Sequence, residues 1–318
     1  MSLIKKVDQV FSRYGAVEQC TYQASIEFAK RAYLSEDFPI FEHSSYHIYG
    51  SLAYQYKLFT FNSLAWSGII AVNDTELFIF TPYVRQADVF YEECLKIKHD
   101  LQSPGFVIKN VSECFFNSLG ALNVKFSIVP RSLNEVVYEA DVLAELSGKQ
   151  FAKLRHAYNK YITAGRLHFE DVNPEKISDV ESVHTKWHLY QSGKYHKDRK
   201  ERELYTIRCF ADLSKNPDLI FRVGYLNSIP VSIIIMHRAV CHSEWMVSYL
   251  IKGINNKEFG GAHGISDATY CYAFKLAKQK GIKWINDGDL GTEIGSSTHK
   301  LKFKPKLFLK SFDIIDVI

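Results

Sequence analysis

Cysteine is sparse: six residues (Cys20, Cys94, Cys114, Cys209, Cys241, Cys271) are scattered over 318 positions with no CxxC pair. That excludes a short disulfide framework and leaves reduced thiols as the expectation. Long apolar runs are also missing, since Val231 to Met236 stops at His237 and Arg238, well short of a bilayer span. The opening MSLIKKVDQVF has no continuous apolar core, so no signal peptide is expected. A cytoplasmic protein without an integral membrane segment follows as the expectation. Neither a P-loop nor a GxGxxG fingerprint occurs. His184 and His188 stand four apart, but Thr185 occupies the place of the HExxH glutamate, so no metal and no tightly bound cofactor are expected.

What is present is a chain rich in core-forming residues, 47% hydrophobic with 22 Phe and 19 Tyr, which leaves no compositional case for disorder. Its length fits either one large domain or two ordinary ones, and two are expected. Charge divides them: residues 1–134 hold 12 basic and 13 acidic side chains, and residues 135–318 hold 27 and 22. A net +5 in the second part favours an anionic partner there, with a solvated surface as the alternative.

Residues 1–134 read as mixed α and β, with a helix at QASIEFAKRAYL and strands such as SGIIAVNDTELFIF, but without a Gly-rich loop; a supporting role is expected. The spacing over 138–165 predicts a helix, with Leu143, Leu146, Phe151, Leu154, Tyr158 and Tyr161 on its buried side. On the other side Lys149, Lys153, His156 and Lys160 align in a basic stripe that suits phosphates or solvent. Further on, SGKYHKDRK puts Tyr195 and His196 in a cationic loop able to line a substrate site. An antiparallel meander is expected from LIFRVGYLN, PVSIIIMHRAV and SEWMVSYLIKG, turning at Asn227-Ser228. After it come a turn with Gly260, Gly261, His263 and Gly264, a helix with Ser266 as its N-cap and Gly281 just past its end, and a strand through IKWIND. Free N–H groups at that helix start would suit a phosphate or a carbonyl oxygen.

The stretch INDGDLGTEIGSSTHKLKFKP, residues 285–305, closes the pattern with Asn286, Asp287, Asp289 and a row of lysines. With VVYEADVLAELSGKQFAKLRHAYNKY at 136–161, it resembles the tandem branch of the GNAT acyltransferase superfamily that includes the C-terminal domain of lysylphosphatidylglycerol synthases. Asp289-Leu290-Gly291, and Lys300 five residues before Pro305, are the points of likeness. Two departures bear on substrate identity. Asp287-Gly288 is one residue shorter than the family's spacing, and Ser296, Ser297 and Thr298 replace its Arg- or Leu-rich lead-in to the lysine.

The resemblance implies an α/β (α+β) fold of two tandem GNAT-like units, each a mostly antiparallel mixed sheet flanked by helices. The first unit would span 1–134 and the catalytic one 135–318. It also implies an acyltransferase that moves an aminoacyl group from aminoacyl-tRNA to an amine or hydroxyl of a small-molecule or lipid acceptor. Acyl-coenzyme A is the alternative donor, and a non-catalytic RNA- or nucleotide-binding module is a third reading. In this frame Asp289, then Asp287, would serve as base or ammonium site, and Lys300 would polarise the ester carbonyl. Gly260, Gly261, His263, Gly264, Lys149, Lys153 and Lys160 would bind the donor, with Asn286, Tyr195 and His196 lining the substrate. The plainer alternatives are Asx turns for the two aspartates and a solvated cation for Lys300.

Overall fold

A computed structural model describes residues 3–34, 44–45, 47–102, 107–120, 126–131, 134–191, 197–291 and 294–317. The chain divides into one unit of residues 1–135 and 309–318 and another of 136–308. Residues 309–318 therefore depart from the expected division: the C-terminal strand belongs to the first unit.

In the first unit the elements are α1 (Leu3–Phe11), β1 (Ala16–Gln19), α2 (Tyr22–Leu34), α3 (Ala53–Gln55), β2 (Lys57–Asn62), β3 (Trp66–Val72) and β4 (Leu77–Val84). They continue with α4 (Ala87–Leu101), β5 (Val107–Ser112), α5 (Glu113–Gly120) and β6 (Phe126–Pro130). The second unit holds β7 (Glu135–Glu139), α6 (Ala140–Glu145), α7 (Ala152–Tyr158), β8 (Leu167–Asp171), α8 (Ile177–Tyr190), α9 (Lys197–Asp212), β9 (Leu219–Leu226) and β10 (Ile229–Arg238). It is completed by β11 (Trp245–Gly253), α10 (Ile265–Gln279), β12 (Trp284–Asp289), α11 (Ile294–Leu301) and β13 (Leu307–Leu309), after which β14 (Ser311–Val317) returns to the first sheet.

Each unit has a seven-stranded sheet, in the orders β1-β2-β3-β4-β5-β14-β6 and β13-β7-β12-β11-β10-β9-β8. Each sheet repeats one plan: an antiparallel meander (β2-β3-β4; β9-β10-β11), then a helix that crosses to a parallel strand (α4 to β5; α10 to β12). The crossover needs a helix because parallel strands cannot be joined by a tight turn.

Every residue of β3 is buried, as a central strand covered on both faces requires. Val7, Val10 and Phe11 put one stripe of α1 into the core around Trp66 and Phe90. In the second unit Val231–Met236 is buried throughout, with α8 and α10 packed on β10. Each fully buried Ile or Phe there contributes about 1.5–3 kcal/mol. The β9–β10 hairpin turns at Asn227 and Ser228, with φ of 50° and 64°, the two left-handed residues that match strand twist.

The helix expected over 138–165 is broken. Tyr138 lies in β7, and Leu146 and Gly148 take φ of 51° and 87° between α6 and the next turn. A 3₁₀ turn at Lys149–Phe151 then leads into α7, which ends in a π-helical turn at Asn159–Thr163. The apolar periodicity is still obeyed: Leu143, Leu146, Phe151, Leu154 and Tyr161 are buried.

Candidate active site

Strands β11 and β12 pair in parallel only from Trp245↔Trp284 to Val247↔Asn286, although β11 runs on to Gly253 and β12 to Asp289. The cause lies in β11. Opposite it, β10 pairs Met236 with Ser248 and Ile235 with Leu250, so Tyr249 is an inserted residue, a β-bulge. A bulge bends its strand and sharpens the local twist, which carries the outer half of β11 away from β12 and opens a wedge at the carboxyl ends of the parallel pair. Ser248 and Asp287 are the next residues beyond the last pair, Val247↔Asn286.

The first unit has the same break: β4 and β5 pair only from Phe78 to Phe80, and the β3–β4 register shifts between Ser67 and Ile69. There, however, only Arg85 and Gln86 separate β4 from α4. Both their N–H groups donate to the carbonyl oxygen of Ala65, at 2.7 and 3.1 Å.

At the end of β12 the residues take different parts. Asn286 is fully buried, and its Oδ1 accepts from Gly288 N at 2.8 Å, an Asx turn that sets the φ of 65° at Gly288. Asn286 therefore shapes the strand end rather than lining open space. Asp287 is buried, and burial pushes its carboxyl above the usual range, against the pull of Lys300 and Ser248. Lys300 Nζ lies 3.4 Å from Asp287 Oδ2, donates to the Asp287 carbonyl and donates at 2.7 Å to the Asp289 carbonyl. It thus straps α11 onto β12 and occupies lone pairs of two strand carbonyls. Tyr138 sits beneath: its hydroxyl donates to the Lys300 carbonyl at 3.2 Å, and burial, then the Asp287 charge, push its pKa up. Asp289, the last residue of β12, is half-buried.

The glycine turn is tight for steric reasons. A Cβ on Gly261 would lie 1.9 Å from the Ile254 carbonyl oxygen, and Gly260 and Gly264 have φ of 82° and 93°. Gly261→Ala is expected to lower the unfolding free energy by about 2–4 kcal/mol, read as a shift in denaturant midpoint. Most of the turn's donors are already engaged. Gly260 N bonds Lys257 O, Gly261 N bonds Asn256 O, Ala262 N bonds Ile254 O and Ile265 N bonds Ala262 O, at 3.0–3.2 Å. Ser266, expected as N-cap, lies inside the first turn of α10; Gly264 is the N-cap, and Asn255 Oδ1 accepts from Ser266 N at 3.0 Å. The carboxylate of Asp267 adds a negative charge at the positive helix end, where it pairs with Lys302 and lies 3.8 Å from His299 Nδ1. The expected anion cradle is in large part filled by the chain itself.

Asp267 also connects the two segments, because its partners His299 and Lys302 flank the Lys300 that straps β12. Tyr270 of α10 stacks on Phe303, just past α11, and His299 meets both rings edge-on, with centroids 4.8–5.3 Å apart.

The basic stripe is exposed at Lys149, Lys153, His156 and Lys160 and adjoins the glycine turn. Tyr161 Oη donates to the His263 carbonyl at 2.8 Å, and a Cβ on Gly264 would touch Ala157 at 3.5 Å. His263 is itself exposed. Tyr195 and His196 lie outside the described residues.

Sequence reading missed one constellation in this unit. His184 and His188 on α8 share Glu203 of α9, Nε2 to Oε2, at 2.9 and 3.1 Å. Lys252, from the outer half of β11, donates to the same oxygen and lies 4.0 Å from the Trp187 ring centroid. Arg199 Nε donates to Glu203 Oε1 at 2.9 Å. The i,i+4 histidines were visible in the sequence; Glu203 and Lys252 carried no signal of their own, since the pairing spans 49 residues.

Burial lowers the pKa of His184 to about 4 and of His237 to about 3, and lowers that of His188. These imidazoles stay neutral in the fold, whereas the unfolded chain takes up protons below about pH 6.5. Stability is therefore present above pH 6.5 and falls on acidification, by up to about 1.4 kcal/mol per pH unit for each such histidine. Thermal melts at pH 7.5 and 5.0 should show a lower Tm at pH 5.0, with part of the drop removed by His237→Gln.

No protein-family model matches the sequence, and no curated protein is significantly similar to it. Solved structures do match in fold. A conserved protein of unknown function from Bacteroides thetaiotaomicron superposes with a TM-score of 0.76 at 15% identity, over 95% of this chain and 99% of that one. The C-terminal DUF2156 domain of a putative lysylphosphatidylglycerol synthetase from Agrobacterium fabrum gives 0.61 at 12%, over 93% and 92%. A tandem GNAT protein from the clavulanic acid biosynthesis pathway gives 0.50 at 9%, over 94% and 98%. This chain has a tandem GNAT fold. Within the tandem GNAT fold, the bulged β11, the parallel β12 and the α10 start form the wedge of the second unit. Among the described residues no helix is long and apolar enough to cross a membrane.

Proposed function

We propose that the second unit transfers an aminoacyl group from aminoacyl-tRNA to an amine or hydroxyl of a small-molecule or lipid acceptor, in the cytoplasm. The observation that carries the donor choice is the state of the glycine turn. A coenzyme A diphosphate needs several unengaged N–H donors at a helix start, and here Gly260, Gly261, Ala262, Ile265 and Ser266 already bond within the chain. Beside that turn stands an exposed row of three lysines and a histidine, whose spacing suits a nucleic-acid backbone.

In this reading Lys149, Lys153 and Lys160 hold donor phosphates, and the aminoacyl ester enters the wedge along β11. Asp289 takes the proton of the attacking amine or hydroxyl, or fixes the donor's ammonium. As the acceptor atom bonds to the carbonyl carbon, the bond from that carbon to the ribose oxygen breaks, and the proton passes to the ribose. Lys300 acts by holding the Asp287 and Asp289 carbonyls in place, a positioning role in place of the direct polarisation first expected. Support for the acceptor class comes from the lysylphosphatidylglycerol synthetase among the structural neighbours.

The test is incubation of the protein with tRNA charged with labelled amino acids, or with labelled acetyl-coenzyme A, and either phosphatidylglycerol vesicles or a panel of amines. Label transferred from tRNA alone supports the reading. Transfer from acetyl-coenzyme A alone overturns the donor, and salt-sensitive RNA binding without product under either donor assigns a binding module.

A further inference from the structure

The cluster around Glu203 is a costly thing to bury. Lys252 and Glu203 have side chains only 4% and 8% exposed, and taking both charges out of water costs several kcal/mol that a packed apolar pair would avoid. A transition metal does not explain the set as it stands. The His184, His188 and Glu203 donors lie within 4.8 Å of one another, but the Lys252 ammonium occupies the cation's place and Arg199 holds the other carboxylate oxygen.

What the ion pair offers beyond apolar contact is direction, and its position gives the direction meaning. Lys252 lies beyond the Tyr249 bulge, in the part of β11 that has left β12. On the opposite face the next residue, Gly253, is pressed against α10 so closely that a Cβ would lie 2.6 Å from Ser266 Cα. The outer half of β11 is thus gripped on both faces: by α10 backbone on one, and by an ammonium hooked to Glu203 of α9 and capped by Trp187 of α8 on the other.

We infer that Lys252 and Glu203 are positioning residues which hold the outer half of β11 away from β12 and so keep the wedge open for the acyl donor. The inference rests on the acyl-transfer reading for its purpose, but its structural claim can be tested separately. The groups facing Lys252 are Glu203 and Arg199 from α9 and His188, His184 and Trp187 from α8. Burial lowers the Lys252 amine to about 8, so the hook weakens as pH rises through that value.

The experiment is hydrogen exchange, corrected for intrinsic rates, across residues 249–253 and, for comparison, 219–223 of β9, which pair with β10 and not with β11, with transfer kinetics in parallel. In Lys252→Met the 249–253 amides should exchange about 10-fold faster or more while 219–223 hold, and turnover should fall. In the wild type the 249–253 protection should decline as pH passes 8, and Lys252→Arg, which keeps its charge, should retain it to about pH 9 or above. Unchanged exchange in a folded Lys252→Met overturns the inference whatever the activity. So does Lys252→Arg losing protection at the wild-type pH, a readout that stands if the methionine variant fails to fold. Altered exchange with no transfer from any donor keeps the strand-holding role and removes the acyl-transfer reading instead.

Discussion

Asp289→Asn is expected to lower turnover by about 100-fold or more, the usual loss when a positioned base or charge partner is removed, with little change in Tm. The substitution keeps the shape, removes the charge and turns one acceptor oxygen into an amide donor. The side chain is half-buried at the strand end, and the Lys300 strap reaches its backbone carbonyl rather than its carboxylate, so that bond survives in the variant. Steady-state kinetics with saturating charged tRNA, next to a thermal melt, separate the two effects. Turnover within about 3-fold of wild type in a fully folded variant would remove Asp289 from the chemistry. If kcat holds while KM for the donor rises, the carboxylate binds the donor's ammonium and is not the base.

The second large effect concerns the stripe. Replacing Lys149, Lys153 and Lys160 together by Ala should weaken tRNA binding by about 10- to 100-fold at moderate salt, and should lower the slope of log K against log salt by about 2–3. All three side chains are exposed, and Lys160 makes only a cation–π contact with Tyr161 at 4.8 Å, so the fold should survive the triple change. Filter binding of uncharged and charged tRNA between 50 and 200 mM salt provides the measurement. An unchanged slope would make the stripe a solvated face.

Local signals carried much of this molecule. Asn227-Ser228 announced its hairpin because two left-handed residues between β-rich runs have few other uses. The meander, the α10 helix and the β12 strand were legible for the same reason: each depends on residues near it in sequence. Ser266 shows the limit. As an N-cap it was a sound choice, yet Gly264 takes that place because the chain must turn through φ 93° there, against Tyr161 and Ala157. Leu146 and Gly148 show the same limit, where a helical apolar period continues through a backbone that is not helical. The resemblance made Lys300 a candidate to polarise the ester carbonyl, and its bonds to the Asp287 and Asp289 carbonyls exist only because α11 folds back onto β12.

The sequence by itself determined the mixed α/β character, the meander followed by a helix and a further strand, and the glycine turn, since these follow from periodicity and from backbone freedom at short range; the tandem plan was implied by the resemblance. Only the tertiary structure decided that the last strand, β14, completes the first sheet, that the glycine turn engages its own donors, and that Lys252 meets Glu203 under Trp187. The physical reason is distance along the chain. A bulge, a strand insertion or a buried ion pair is fixed by partners tens to hundreds of residues away, and no local pattern records which of the available partners wins.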